Sequence, residues 1–193
     1  MIDNLAPWRP ILSRALHRNR SQPNARYFQL ATVDLNGKPA NRTVVFRGFL
    51  ENSNQLQIIT DSRSEKINHI HHQPSSEICW YFPKTREQFR ITGTLTIVDK
   101  NHLNQAVRLT VWQKLSDAAR QQFTWPPSGQ YLTDNKEYFS KLTPPESQPI
   151  SNFIILLFAP EKVDHLELRG NPHQRKIYYL DKAKNWIIQS VNP

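Results

Sequence analysis

Arg42-Thr43-Val44-Val45-Phe46-Arg47-Gly48-Phe49, followed closely by Leu56-Gln57-Ile58-Ile59-Thr60-Asp61-Ser62-Arg63-Ser64-Glu65-Lys66, decides the reading of this chain. Both segments open as short apolar strands with cationic or hydroxyl side chains at their ends. A third of the same kind, Gln88-Phe89-Arg90-Ile91-Thr92-Gly93-Thr94-Leu95, follows after an interval of helical spacing. Cations and hydroxyls on rigid strands suit a phosphate-bearing ligand, because charge-assisted bonds hold it only if their geometry is set beforehand. Arg42, Thr60, Ser64 and Lys66 are the candidates. Ser64 and Lys66 also fall at the expected start of a helix, where free N–H groups and the helix dipole favour an anion.

Outward from this stretch the pattern is mostly strand. On the N-terminal side, Trp8, Ile11, Leu12, Ala15 and Leu16 share a helical face opposite Arg14, Arg18 and Arg20, so residues 8–20 read as an amphipathic helix. Residues 27–33 read as a strand, Asp34-Leu35-Asn36-Gly37 as its hairpin turn and 40–50 as the returning strand. Further strands are expected at 55–60, 77–82 and 88–98, with a helix over 64–72 opening on Ser64 as cap. Residues 100–124 return to helical spacing, with Leu103, Val107, Val111, Leu115, Ala118 and Ala119 in one stripe, until Trp125-Pro126-Pro127 ends it. Residues 130–149 read as a surface loop with a short helix near 135–142. Residues 153–158 read as a strand apolar on both faces, and 163–168, 175–180 and 186–191 complete the sheet. One antiparallel barrel with peripheral helices accounts for the whole chain, residues 1–193, as a single domain.

Composition sets the outer bounds. A single cysteine, Cys79, allows no intramolecular disulfide and fits a reducing, cytoplasmic setting. Cys79 lies within the apolar run 78–82 and reads as a buried thiol. The first eight residues have neither a basic nor an apolar leader region, and the apolar run 153–159 is too short to span a bilayer, so no membrane partner is expected. The formal charge of +9 invites a nucleic-acid reading, but the basic residues form no tail or stripe, and an anionic small molecule uses the same field. His69, His71 and His72 read as a solvated helix end, since no acidic or sulfur ligand follows at metal spacing. Trp80 and Trp112 read as core.

The three quoted segments, in this order and spacing, resemble the FMN-binding split-barrel family of pyridoxamine 5'-phosphate oxidase. The family's first motif reads here as Arg42-Thr43-Val44-Val45-Phe46-Arg47, with Arg47 in place of a lysine. Its second reads as Ile59-Thr60 and Ser64-Glu65-Lys66, with Glu65 in place of an arginine that faces the phosphate, a loss that Arg63 could offset by turning inward. Its third reads as Glu87-Gln88 with alternating apolar residues to Gly93. More loosely, Leu166 falls where the oxidases have a tryptophan beside the flavin, and Arg175 falls on a flavin-contacting arginine.

The resemblance implies a six-stranded antiparallel split barrel, a homodimer, and FMN bound at the subunit interface. Arg42, Thr43, Val44, Val45, Arg47, Ile59, Thr60, Ser64, Lys66, Gln88, Leu166 and Arg175 are the cofactor-binding residues it implies. It names no catalytic residue and no metal. The Arg-Leu-His triplet that faces the pyridoxal ring in the true oxidases is missing, because the region reads Gly170-Asn171-Pro172-His173-Gln174. The expected function is therefore an FMN-dependent oxidoreductase acting on an unidentified small molecule. The alternatives are a flavin- or haem-binding carrier or sensor without turnover, and a true pyridoxamine 5'-phosphate oxidase.

Overall fold

A computed structural model of the chain describes residues 5–132, 135–140 and 142–193. Met1 to Asn4, on which the absence of a leader was partly read, and small parts of the 130–149 loop fall outside them. Helix α1 (Arg9–Arg18) buries Leu12 and Ala15. Strands β1 (Tyr27–Val33) and β2 (Pro39–Phe49) form a hairpin. Its turn is tied by Asp34, whose Oδ1 accepts the backbone N–H groups of Asn36 and Lys38 at 2.8 Å each. Gly37 sits there at φ +77°, a conformation that favours glycine. Then come β3 (Leu56–Asp61), α2 (Lys66–His72), β4 (Ser75–Phe82), β5 (Glu87–Val98), α3 (Gln105–Gln113), α4 (Asp117–Gln121), β6 (Phe153–Glu167), β7 (Gln174–Leu180) and β8 (Trp186–Val191).

The strands run in the order β3-β2-β1-β4-β5-β6-β7-β8, every pair antiparallel. Pairing of β3 with β6, from Leu56 opposite Phe158 to Asp61 opposite Phe153, closes the first six into a ring. The fold is thus a closed six-stranded antiparallel barrel of the split-barrel type, extended by β7 and β8.

One strand explains why the sequence reads as apolar on both faces there. Residues 153–167 form the single long strand β6, where two separate strands were expected at 153–158 and 163–168. Its first half serves two cores. Ile154, Leu156 and Phe158 face the barrel interior with Phe28, Phe46, Trp80, Phe89 and Trp8, the residue that precedes α1. Phe153, Ile155 and Leu157 face outward into a second cluster with Val111, Trp112, Leu115 and Phe123. The strand stays continuous because its register against β5 shifts between Thr92 and Gly93, beside Pro160, so the missing proline N–H falls at an irregularity.

The expected helix over 100–124 is broken in two. Asn104 accepts from the Val107 N–H and opens α3, and Ser116 accepts from the Ala119 N–H and opens α4. The caps compete with continuation of one helix, and Leu103 and Ala118 of the expected stripe end up exposed. The short helix near 135–142 is a 3₁₀ turn, Lys136–Phe139. Ser64 does not cap α2; the helix begins at Lys66 after Glu65, and the Ser64 hydroxyl turns to the Lys66 ammonium instead. His69 is not solvated but buried, 3.0 Å from the Thr32 hydroxyl. Cys79 is only half-buried, on the face of β4 opposite the core residues Ile78 and Trp80.

Gly93 marks the tightest approach in the barrel. A Cβ there would lie 2.2 Å from the Ala159 carbonyl oxygen, a backbone atom that cannot yield without moving β6. Gly93→Ala should destabilise the protein by about 1–3 kcal/mol or more, as overpacking does. A urea unfolding midpoint equal to that of the unsubstituted protein would contradict this.

Candidate functional site

The barrel opens where β2 leaves β3. Only Phe46–Ile58 and Phe49–Leu56 pair across this boundary, with an irregularity between them. Further along, β2 stays on β1 through Arg42 and Thr43, while β3 from Ile59 to Asp61 stays on β6. The two strands therefore part, and a cavity of about 410 Å³ fills the gap. Arg42, Thr43, Val44, Val45 and Arg47 line it from β2, Ile59, Thr60 and Asp61 from β3, and Lys66 from α2. Phe123, Trp125 and Pro126 form the facing wall.

The cations at one end are braced from behind. Lys66 Nζ donates to the hydroxyls of Thr60 at 3.0 Å and Ser64 at 2.6 Å. Arg42 Nη1 donates to the Leu30 carbonyl at 3.2 Å and to Thr32 Oγ1 at 2.7 Å. His69 stands behind that hydroxyl, so the buried histidine supports an arginine rather than a metal, and no metal-ligating cluster occurs among the described residues. Burial pushes the Lys66 pKa down, and the neighbouring Arg42 charge pushes it further. Burial likewise lowers Arg42, and lowers Arg47 together with the charge of Arg26. The Nε of Arg47 is buried without a hydrogen-bond partner.

Among the described residues no carboxylate forms an ion pair with this group. Asp61 lines the cavity, but Arg63 takes both of its oxygens at 2.8 and 2.7 Å and Asn152 adds a third bond at 2.6 Å. These contacts outweigh burial and hold Asp61 below the usual carboxylate range. Arg63 lines the cavity, yet its guanidinium is held by Asp61 and the Phe123 carbonyl, so it does not replace the arginine lost at Glu65. Glu65 points to solvent, near His69.

Partly buried cations without a counter-charge are costly unless an anion joins them, and a phosphate carries about −1.5 to −2 charges at neutral pH. The donor set fits the phosphate and ribityl end of FMN: Arg42, Lys66 and the hydroxyls of Thr60 and Ser64, with the apolar Val44, Val45 and Ile59 beside them. Nine of the twelve residues implied by the sequence therefore meet here, Ser64 through its bond to Lys66.

The other three do not. Gln88, Leu166 and Arg175 are successive cross-strand neighbours on β5, β6 and β7. Phe89 and Ile91 fill the interior, so Gln88 faces out. In the closed ring β5 lies three strands from β2 in either direction.

The family model of the pyridoxamine 5'-phosphate oxidase FMN-binding domain matches residues 5–99. "Pyridoxine/pyridoxamine 5'-phosphate oxidase 2" of Arabidopsis thaliana is 39% identical over 98% of both chains. The chain belongs to the pyridoxamine 5'-phosphate oxidase family. A solved FMN-binding protein of Nostoc punctiforme, described as pyridoxamine 5'-phosphate oxidase-related, shares 51% identity with a TM-score of 0.96, over 98% of this chain and all of that one. PhzG of Burkholderia lata shares the fold, with a TM-score of 0.78 at 17% identity over 100% of this chain and 99% of that one. FMN is the family's cofactor and that of this chain.

Sequence reading missed the facing wall. Trp125-Pro126-Pro127 was legible as a helix stop, but nothing local shows that its aromatic ring turns back over β3. Arg63 and Asn152, both held by Asp61, bond the Phe123 carbonyl and tie that wall to the strand, contacts across 60 and 29 residues that no motif carries.

Lys66→Ala should weaken FMN by roughly 1.5–3 kcal/mol, the range for a hydrogen bond to a charged group, and riboflavin far less. Equal losses for the two in a fluorescence titration would remove the phosphate from this end. The ammonium is lost as pH rises through its depressed pKa, so the preference for FMN over riboflavin should shrink below the ordinary lysine range. Lys66→Arg, always charged, should retain that preference. Without cofactor the sign reverses: the unfolded chain binds this proton more tightly, so stability should rise with pH between the depressed and the ordinary value.

Proposed function

We propose that the chain is an FMN-dependent oxidoreductase that works as a homodimer, with the cofactor between two copies and a small-molecule substrate over the flavin. The observation that carries this is the division of the implied site into two groups on opposite walls of one barrel. A second copy related by a two-fold axis brings its Gln88, Leu166 and Arg175 to the first copy's cavity, and the reverse. FMN, when bound, supplies the electron transfer. Arg42, Thr60, Ser64 and Lys66 hold its phosphate and ribityl chain. Arg175 and Gln88 of the partner address the pyrimidine edge, where a positive charge favours the reduced state. Phe123, Trp125 and Pro126 keep water from the other side.

The substrate of this reading is not a vitamin B6 phosphate. Arg169, near the missing Arg-Leu-His, donates to the Lys84 carbonyl, and Arg120 is committed to Asp117 and the Leu115 carbonyl. Arg120 is thus tied to its own helix, and Arg169 is held at the Lys84 carbonyl through one nitrogen. A second reading, pyridoxine or pyridoxamine 5'-phosphate oxidation, is favoured by the name and full-length similarity of the Arabidopsis relative. Oxygen uptake by the FMN-loaded protein separates the two. The first reading expects little turnover of either B6 phosphate, and a catalytic efficiency of about 10⁴ M⁻¹s⁻¹ or more would establish the second.

The dimer has its own test. Lys66→Ala and Arg175→Ala copies should each bind FMN poorly or in an altered state. Mixed after reversible dissociation, they should recover one intact site per heterodimer. No recovery, or a monomer that holds FMN fully in sedimentation, would refute a site shared between copies.

A further inference from the structure

Asp164 is a buried carboxylate that the reading above does not use. It lies on β6 with its side chain 7% exposed, between Arg90 of β5 and Arg175 of β7. Arg175 grips it side-on, Nε to Oδ1 at 3.0 Å and Nη2 to Oδ2 at 2.7 Å. Arg90 donates through its own Nη2 to the same Oδ2. Burial alone would raise the Asp164 pKa, but the bonds from Arg175 and Arg90 outweigh it and hold the carboxyl ionised. A bidentate grip through Nε and Nη2 fixes the plane of the Arg175 guanidinium. It also leaves Nη1 as the nitrogen with no hydrogen bond among the described residues.

We propose that Asp164 is a positioning residue for the flavin: it sets the direction in which Arg175 presents its free Nη1, while Arg90 keeps the cluster at net positive charge. This rests on the reading that places Arg175 at the pyrimidine edge. One carboxylate between two guanidinium groups leaves a surplus of one positive charge. Without Arg90, Asp164 would cancel Arg175; without Asp164, Arg175 would lose its fixed plane and face Arg90 as a like charge. A guanidinium held in this way favours the reduced cofactor by position as well as by charge.

The test measures the ratio of affinities for reduced and oxidised FMN in the dimer, from the two-electron potential of the bound cofactor. Asp164→Asn makes the cluster more positive but releases Arg175; the lost placement of Nη1 outweighs the added charge, so the ratio should fall roughly tenfold, the scale of one charge-assisted hydrogen bond, which is about 30 mV for a two-electron couple. Arg175→Ala should lower it at least as much, and the double variant no further than Arg175→Ala alone, because Asp164 acts through Arg175. Asp164→Glu, which keeps the carboxylate, should fall between Asn and the unsubstituted protein. An unchanged ratio in Asp164→Asn, or additive shifts in the double variant, overturns the proposal. An unchanged ratio in Arg175→Ala instead removes Arg175 from the flavin, a failure of the underlying reading. If Asp164→Asn does not fold, the more exposed Arg90→Gln carries the test. It should lower the ratio, because Asp164 then cancels the charge of Arg175, and no change overturns the proposal.

Discussion

The parting of β2 from β3 is the constraint on which the rest of the molecule depends. A fully paired barrel this small has no room for a ligand, because its interior is filled with side chains. Here the ladder between these strands stops after Phe46 and Ile58, and each strand keeps its other neighbour. The ring still closes, through β3 and β6, so the split does not dissolve the fold. It opens a cavity onto Arg42 and Thr60 and gives them a rigid frame.

That frame explains why the first half of β6, from Phe153 to Ala159, is apolar on both faces. It has to close the ring against β3, pair with β5 along most of its length and separate two cores. The second core anchors Phe123 and so the wall facing the cavity. Packing and site are joined at Asp61, which holds Arg63 and Asn152 while both of those bond the Phe123 carbonyl. A substitution in this outer core would therefore reach the cavity without any contact to the cofactor.

Much of the architecture was legible because strand period and turn chemistry are local. Asp34 to Gly37 announces its hairpin, and the alternation in β1, β4 and β5 announces its buried face. The cationic half of the site was legible for the same reason: Arg42, Thr60, Ser64 and Lys66 lie within two strands and one turn. What failed was non-local. The break between α3 and α4 depends on the Ser116 cap winning over continued helix, and the burial of His69 depends on Thr32, 37 residues away. The distance between Gln88 and Arg42 depends on ring closure, which periodicity does not report.

The same geometry ties cofactor to stability. Arg42, Arg47 and Lys66 are partly buried with depressed pKa values, and no acid pairs with them among the described residues. In the cofactor-free protein their mutual repulsion and desolvation oppose the folded state. A ligand that binds only the folded form stabilises it by mass action, and one that also neutralises these cations removes the opposing energy. The empty cavity thus carries an electrostatic cost that a bound anion removes. Arg175 is the contrast: Asp164 raises its pKa and holds its guanidinium, one carboxylate shared with Arg90. In the function proposed above, phosphate capture falls to the group that lacks a counter-ion, and orientation at the flavin edge to the group that has one.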